Sequence, residues 1–185
     1  MPNRTHLFTR KALSLFLFTL LLLPHWAFRS DAPEWTEVEL NNTLTVRFPG
    51  QPSFQDVQGS PLYTVSTEEA VYKAMVIDNK RNPRYRPIPD EHARYKVYLG
   101  FMNSVLRNFK STLTDSTSFY LGPHRGMDFH YMATTEDGAA LTRHCRVIIL
   151  DDFVYTLSVT PVLLPTDESR GTEKLFMESL QTKKQ

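Results

Sequence analysis

The chain has 185 residues, with 21 Lys and Arg against 20 Asp and Glu and a formal net charge of +1. Four of the basic residues (Arg4, Arg10, Lys11 and Arg29) fall in the first 30 positions, where there is no acid, so the remainder carries 17 basic and 20 acidic residues, a net charge of −3. That balance excludes wholesale nucleic-acid binding. A single cysteine, Cys145, excludes an internal disulfide, so stability must come from a core.

Arg4, Arg10 and Lys11 form a basic region ahead of an apolar run from Leu13 to Pro24. The run is shorter than the roughly 18–20 residues of a membrane-spanning helix, so a secretory signal is predicted over residues 1–30. Its cleavage site is poorly formed. Ala27 has His25 three positions into the signal side, and cleavage after Ala32 would leave Pro33 first. An uncleaved N-terminal anchor is the alternative. Either way the chain is predicted to be exported, to the periplasm or the extracellular space, with residues 31–185 as a single α+β domain.

Asp31 to Asn42 reads as a lead-in, with Trp35 and Val38 tucked onto the core. Leu44-Thr-Val-Arg-Phe48 alternates as a strand and is stopped by Pro49-Gly50. Gln51 to Ser60 reads as a polar connection. Leu62–Thr67 and Val71–Asp78 form a predicted hairpin around Glu68-Glu69-Ala70. A proline-rich loop, Asn79–Pro89, then carries Lys80, Arg81, Arg84 and Arg86 around Tyr85. These five residues are the candidate binding patch for an anionic partner, either a protein or a membrane surface. A solvated, proline-stiffened connection would look the same.

Asp90 is a predicted N-cap with Glu91 in the first turn. From there to about Lys110, Tyr95, Tyr98, Leu99, Met102, Val105, Leu106 and Phe109 form one apolar stripe at helical spacing. Ser118–Leu121 is a short predicted strand before Gly122-Pro123. Leu163–Thr172 reads as a loop, and Glu173–Gln181 as a closing helix with Leu175, Phe176 and Leu180 inward.

Between these lie three consecutive strands from Gly126 to Pro161. Asp137-Gly138 is a type I′ hairpin signal, and Asp151-Asp152 is a second, weaker turn. With two-residue loops, one face collects Met127, Phe129, Tyr131, Ile148, Leu150, Phe153, Tyr155, Leu157 and Val159, with His144 and Arg146 interrupting it. The other, mixed face collects Asp128, His130, Arg143, Cys145, Val147 and Ile149. In this register His130 stands opposite Cys145, and Cys145 opposite Ser158. A four-residue first loop keeps the His130–Cys145 pair, whereas a three-residue loop flips one strand and destroys it.

A thiolate beside an imidazolium is a nucleophile, so Cys145 with His130 is the candidate catalytic pair. A lone cysteine in a strand is more commonly a small buried apolar residue. His124, His130, His144 and Cys145 are all metal-ligand types, but no spacing matches a closed zinc motif. No metal and no cofactor is predicted, and neither a phosphate-binding glycine loop nor a serine-hydrolase motif occurs. Asp151-Asp152 reads as a turn rather than an acid/base pair.

Several stretches resemble the PsbP-like fold, especially its small exported bacterial members. They are Val46-Arg-Phe-Pro-Gly50 followed by Pro52, Gly122-Pro-His-Arg-Gly-Met-Asp-Phe129, the Arg146–Leu157 hairpin with Tyr155, and Leu175-Phe-Met-Glu-Ser-Leu180. The resemblance covers most of Trp35 to Gln181. It implies an antiparallel sheet sandwiched by helices, and a scaffold that docks on something, as the extrinsic proteins of the oxygen-evolving photosystem and a Ran-binding nuclear transport factor do. It supplies no catalytic residue. The expected function is therefore a non-enzymatic binding or accessory protein of the cell envelope, with a protein or membrane-surface partner. The alternative is a small thiol-dependent enzyme or redox protein using Cys145 and His130.

Overall fold

The computed structural model describes residues 34–134 and 138–183. The predicted signal segment lies outside them, and among the described residues no helix is long and apolar enough to cross a membrane. The strands are β1 (Trp35–Glu39), β2 (Leu44–Pro49), β3 (Ser53–Val57), β4 (Ser60–Ser66) and β5 (Ala70–Asp78). Helix α1 (Glu91–Asn108) follows, then β6 (Thr112–Leu121), β7 (His124–Thr134), β8 (Ala140–Leu150) and β9 (Phe153–Pro161). Helix α2 (Asp167–Glu178) and the short β10 (Gln181–Thr182) close the chain.

Seven strands form one antiparallel sheet in the order β3-β4-β5-β9-β8-β7-β6, and β1-β2-β10 form a second. Strict alternation along β5, β8 and β9 sends apolar side chains to both faces of the large sheet, so each face needs a cover. Tyr98 and Met102 of α1 pack on one face, against Met127, Phe129, Tyr131, Cys145, Val147 and Ile149. Phe176 and Met177 of α2, with Leu44, Val46 and Phe48 of the small sheet, pack on the other, against Tyr72, Ile148, Tyr155 and Leu157. The result is a sheet-dominated α+β sandwich with a helix on each face.

Local signals explain the helices. Asp90 caps α1 by accepting from the Ala93 N–H at 2.7 Å, as its position before the apolar stripe predicts. The Tyr98 hydroxyl then pins α1 to the sheet, donating to the Arg125 carbonyl at 2.8 Å and accepting from the Ile149 N–H at 3.0 Å. Helix α2 starts earlier than the predicted Glu173. Thr166 caps it by accepting from the Ser169 N–H, and Asp167 and Glu168 occupy its first turn. These cap residues outweigh the helix-weakening Gly171, and Glu173 lies mid-helix as a consequence. Leu175, expected inward, is 57% exposed, while Phe176 is fully buried.

Three strands run where sequence reading placed none, or only part of one. β1 is a strand rather than a lead-in, β3 occupies the expected polar connection, and β6 begins six residues before Ser118. β3 and β6 are the two edges of the large sheet, and most of their residues are exposed. Edge strands bury little, so they need no apolar alternation. Polar composition and the register shift between Leu113 and Asp115 also discourage further strand addition.

The Asp151-Asp152 turn holds as predicted: Leu150 pairs with Phe153, and Asp151 adopts φ +51°. The first hairpin differs. Thr134 pairs with Ala140, so an odd number of residues, 135–139, separates the strands. His130 therefore faces His144, and Cys145 faces Phe129. This is the flip that an odd loop was expected to cause, and it moves Met127, Phe129 and Tyr131 to the α1 face. Cys145 opposite Ser158 is retained.

Candidate functional site

The corrected register puts Asp128 and His130 of β7 beside His144 and Arg146 of β8, all facing α2. Glu173, one helical turn before Met177 and Phe176 bury themselves in the sheet, completes the group. The Asp128 carboxylate is its centre. Its Oδ1 accepts from His144 Nε2, and its Oδ2 accepts from Arg146 Nε at 3.1 Å and Nη2 at 2.5 Å. Arg146 also donates through Nη1 to the Met177 carbonyl at 2.5 Å, and its guanidinium lies 4.3 Å over the Phe119 ring. That ring lies against Gly126. A Cβ at Gly126 would stand 2.3 Å from Phe119 and 2.9 Å from the Val147 carbonyl, so only glycine admits it.

His144 is held at both nitrogens, because its Nδ1 lies 2.7 Å from Glu173 Oε1. His130 stacks on the His144 ring at 4.0 Å between centroids, and its Nε2 lies 4.0 Å from the same Glu173 oxygen. The His144, Arg146 and Asp128 side chains are each about nine-tenths buried, and His130 is 36% exposed. His130, His144, Arg146 and Glu173 line a cavity of about 590 Å³ between α2 and the sheet. Its rim carries Thr142, Leu164, Arg170 and Lys174. Leu164 ends a run of three exposed apolar residues, Val162-Leu163-Leu164.

Burial alone would raise the Asp128 carboxyl, but the hydrogen bonds and charges of His144 and Arg146 outweigh it and hold the group below the usual carboxylate range. Burial likewise opposes charge on His144, yet its bonds to Asp128 and Glu173 win and raise it. Burial, then the neighbouring charge of His144, depresses His130. The cluster thus favours the charged form of His144, between Asp128 and Glu173, and disfavours it on the stacked His130.

The raised His144 fixes a sign. A group whose folded pKa lies above its unfolded value of about 6.5 contributes fully below that pH and loses its contribution as pH rises through the folded value. In thermal denaturation with a chelator present, the Tm gap between the wild type and His144→Gln is expected to be widest near pH 5–6 and to narrow on the alkaline side. A gap that stays constant from pH 5 to 9 would show that the imidazolium does not form.

No family model and no curated protein matches this chain. Solved structures do. Cyanobacterial PsbP (CyanoP) from Synechocystis superposes with a TM-score of 0.56 at 12% identity, over 87% of this chain and 99% of that one. The chain has a PsbP-like fold. A Pseudomonas aeruginosa protein of unknown function, PA94, described as a putative regulator, is similar at a TM-score of 0.42 and 12% identity, over 76% of this chain and 88% of its own. LpqN, involved in cell envelope biogenesis of Mycobacterium tuberculosis, is similar at 0.40 and 15% identity, over 84% and 88%. At such identities the likeness establishes a fold and not an activity.

On the PsbP-like scaffold the two members of the expected thiol pair point to opposite faces. His130 faces α2, while Cys145 is buried under α1 among Phe129, Val147 and Ile149. Burial, with a smaller contribution from the Asp128 charge, pushes the Cys145 thiol up to about 12, so it is not a thiolate at neutral pH. The basic loop lies elsewhere and is folded back on the β8–β9 turn. Lys80 pairs with Asp152 at 2.7 Å, and Tyr85 donates to the same carboxylate at 3.0 Å. Arg81 approaches Asp78 at 3.8 Å. Arg86 donates to the Tyr85 carbonyl, and Arg84 and Arg86 are exposed with no ion pair among the described residues.

Asp128, Arg146 and Glu173 were not singled out as site residues by sequence reading, and His144 was named only as one of four ligand-type residues. The available signal was parity. With an odd first loop, His130 and His144 become cross-strand neighbours, and Asp128 meets Arg146 beside them.

Proposed function

We propose that this chain is an exported, non-enzymatic binding or accessory protein of the cell envelope, and that its partner seats at the cavity between α2 and the sheet. The observation that carries this reading is a cavity with a charged floor, a polar rim of Thr142, Arg170 and Lys174, and the exposed Leu164 at its edge. Buried ion pairs are weak sources of stability, because desolvation offsets most of their attraction. An apolar floor would have served packing equally well. A polar floor under an exposed Val162-Leu163-Leu164 edge has the composition of a recognition site. Binding is favoured over thiol chemistry because Cys145 is buried beneath α1, on the face opposite His130.

The exposed pair Arg84 and Arg86 supports a second docking reading, for an anionic protein or membrane surface at the Asn79–Pro89 loop. Cross-linking of the tagged, full-length protein in its own cell envelope separates the two. A partner captured by the wild type should be lost in Thr142→Trp, which fills the exposed mouth of the cavity, and in Leu164→Asp. It should be retained in the double variant Arg84→Glu, Arg86→Glu. The converse pattern would move the interface to the loop. Fractionation of the protein with the cytoplasm would remove the envelope reading altogether.

A further inference from the structure

We infer that the floor of this cavity is a binding site for a divalent transition-metal ion of the zinc type, held by His130, His144 and Glu173. The inference rests on the cavity being the working site, and it names what that site takes.

The donor atoms are already gathered. One nitrogen from each histidine and one Glu173 oxygen lie within 4.8 Å of one another. A tetrahedral zinc ion with bonds of about 2.0–2.1 Å holds its ligand atoms roughly 3.3 Å apart. The His144–Glu173 contact of 2.7 Å must open slightly, and the His130–Glu173 separation of 4.0 Å must close. His130 and Glu173 are the partly exposed members, so rotation of their side chains supplies both changes, and His130 leaves its stack on the His144 ring so that both lone pairs can meet one ion. His144 need not move.

The surrounding groups match what a histidine ligand requires. His144 Nε2 donates to Asp128, which fixes the ring orientation and leaves Nδ1 pointing at Glu173 and the cavity. A carboxylate behind the distal nitrogen of a histidine is the recurrent support of a metal-bound imidazole. Arg146 in turn locks Asp128 through its second oxygen. Where His144 carries a proton on Nδ1, metal entry displaces it to solvent. The ion then takes the place of that proton between the ring and the Glu173 carboxylate.

The chemistry of the donors selects the ion. Two imidazoles and one carboxylate suit zinc and its neighbours in the transition series, whereas magnesium and calcium prefer all-oxygen shells. Three protein ligands leave one coordination position, and the open side of the group faces the cavity. A closed structural site has four protein ligands, so this one keeps a place for water or for a donor atom of whatever enters.

The test is zinc uptake by the full-length exported protein after chelator treatment, read by calorimetry, with the Co²⁺-loaded visible spectrum as a second readout. One ion per chain is expected. His130→Ala and Glu173→Gln should each weaken binding by about tenfold or more and alter the cobalt spectrum. Both positions are partly exposed, so neither variant should unfold the protein. Excess Mg²⁺ should not compete. Absent uptake would overturn the inference, as would uptake that both variants leave unchanged, which would assign the metal to other histidines. The two readings fail separately. Partner capture that depends on Thr142 without zinc uptake defeats only the metal site, and zinc uptake without such capture defeats only the partner-binding cavity.

Discussion

Replacing Asp128 with alanine is expected to destabilise the fold by about 3–5 kcal/mol, the range for removing one partner of a buried ion pair. The Asp128 carboxylate is shared by His144 and the Arg146 guanidinium. His144 donates to one oxygen, and Arg146 donates twice to the other. All three side chains are close to nine-tenths buried, so water from the cavity replaces the lost acceptors only poorly. Alanine would leave the His144 ring and the Arg146 guanidinium side by side on the sheet without their shared acceptor. A protonated His144 would respond by giving up its Nε2 proton, which limits the loss and keeps its Nδ1–H bond to Glu173. Asp128→Asn keeps the shape and one acceptor oxygen, so its cost should be smaller, nearer the 1–3 kcal/mol of an impaired buried hydrogen bond. Urea denaturation at pH 6, with chelator, measures both. A loss below about 1 kcal/mol for the alanine variant would mean that the cations are better solvated than their burial implies. Domain stabilities of about 5–15 kcal/mol make the predicted loss a large fraction of the total.

Phe176→Ala is expected to cost about 3–5 kcal/mol as well, by a different mechanism. Phe176 is fully buried, with its ring centroid 5.1 Å from that of Phe48 and 5.3 Å from that of Tyr72. Those partners belong to β2 and β5, so one side chain ties α2 to both sheets. Alanine would remove the tie and leave a void among Tyr72, Phe48 and Met177. Phe176→Leu fills most of that volume and should cost less than about 1.5 kcal/mol beyond the lost ring contacts. Leu175, its exposed neighbour, provides the control: Leu175→Ala should stay within about 0.5 kcal/mol of the wild type. Equal losses at 175 and 176 would contradict the orientation of α2. Because Glu173 lies on the same helix one turn earlier, Phe176→Ala should also loosen the His144–Glu173 contact. The pH dependence of stability should then flatten relative to the wild type.

The helix α1 was legible because its information is local. An Asp90 cap precedes a stripe at 3.6-residue spacing, and the structure returns Tyr98 and Met102 buried on that stripe. The β5, β8 and β9 strands were legible because apolar residues alternate along them, and the Asp151-Asp152 turn was legible because the residues beside it pair directly. Edge strand β3 and the first six residues of β6 were not, since they bury little and their pairing leaves no apolar trace. The early start of α2 lay in Thr166, Asp167 and Glu168, a capping signal that Gly171 obscured.

By itself, then, the sequence determined the alternation of strands, the long helix, the resemblance to a PsbP-like scaffold and the ligand-type residues His130 and His144. Tertiary structure alone decided which of those residues meet. A one-residue difference in the connection between β7 and β8 reverses every side chain of one strand relative to the other, and no property of either strand reports that parity. It replaced the His130–Cys145 pair with the His130–His144 pair. The third member, Glu173, reaches them from a helix 29 residues beyond His144, placed there by the burial of Phe176 and Met177. Side chains so distant in sequence converge only when the hydrophobic contacts of a folded core hold their elements in place.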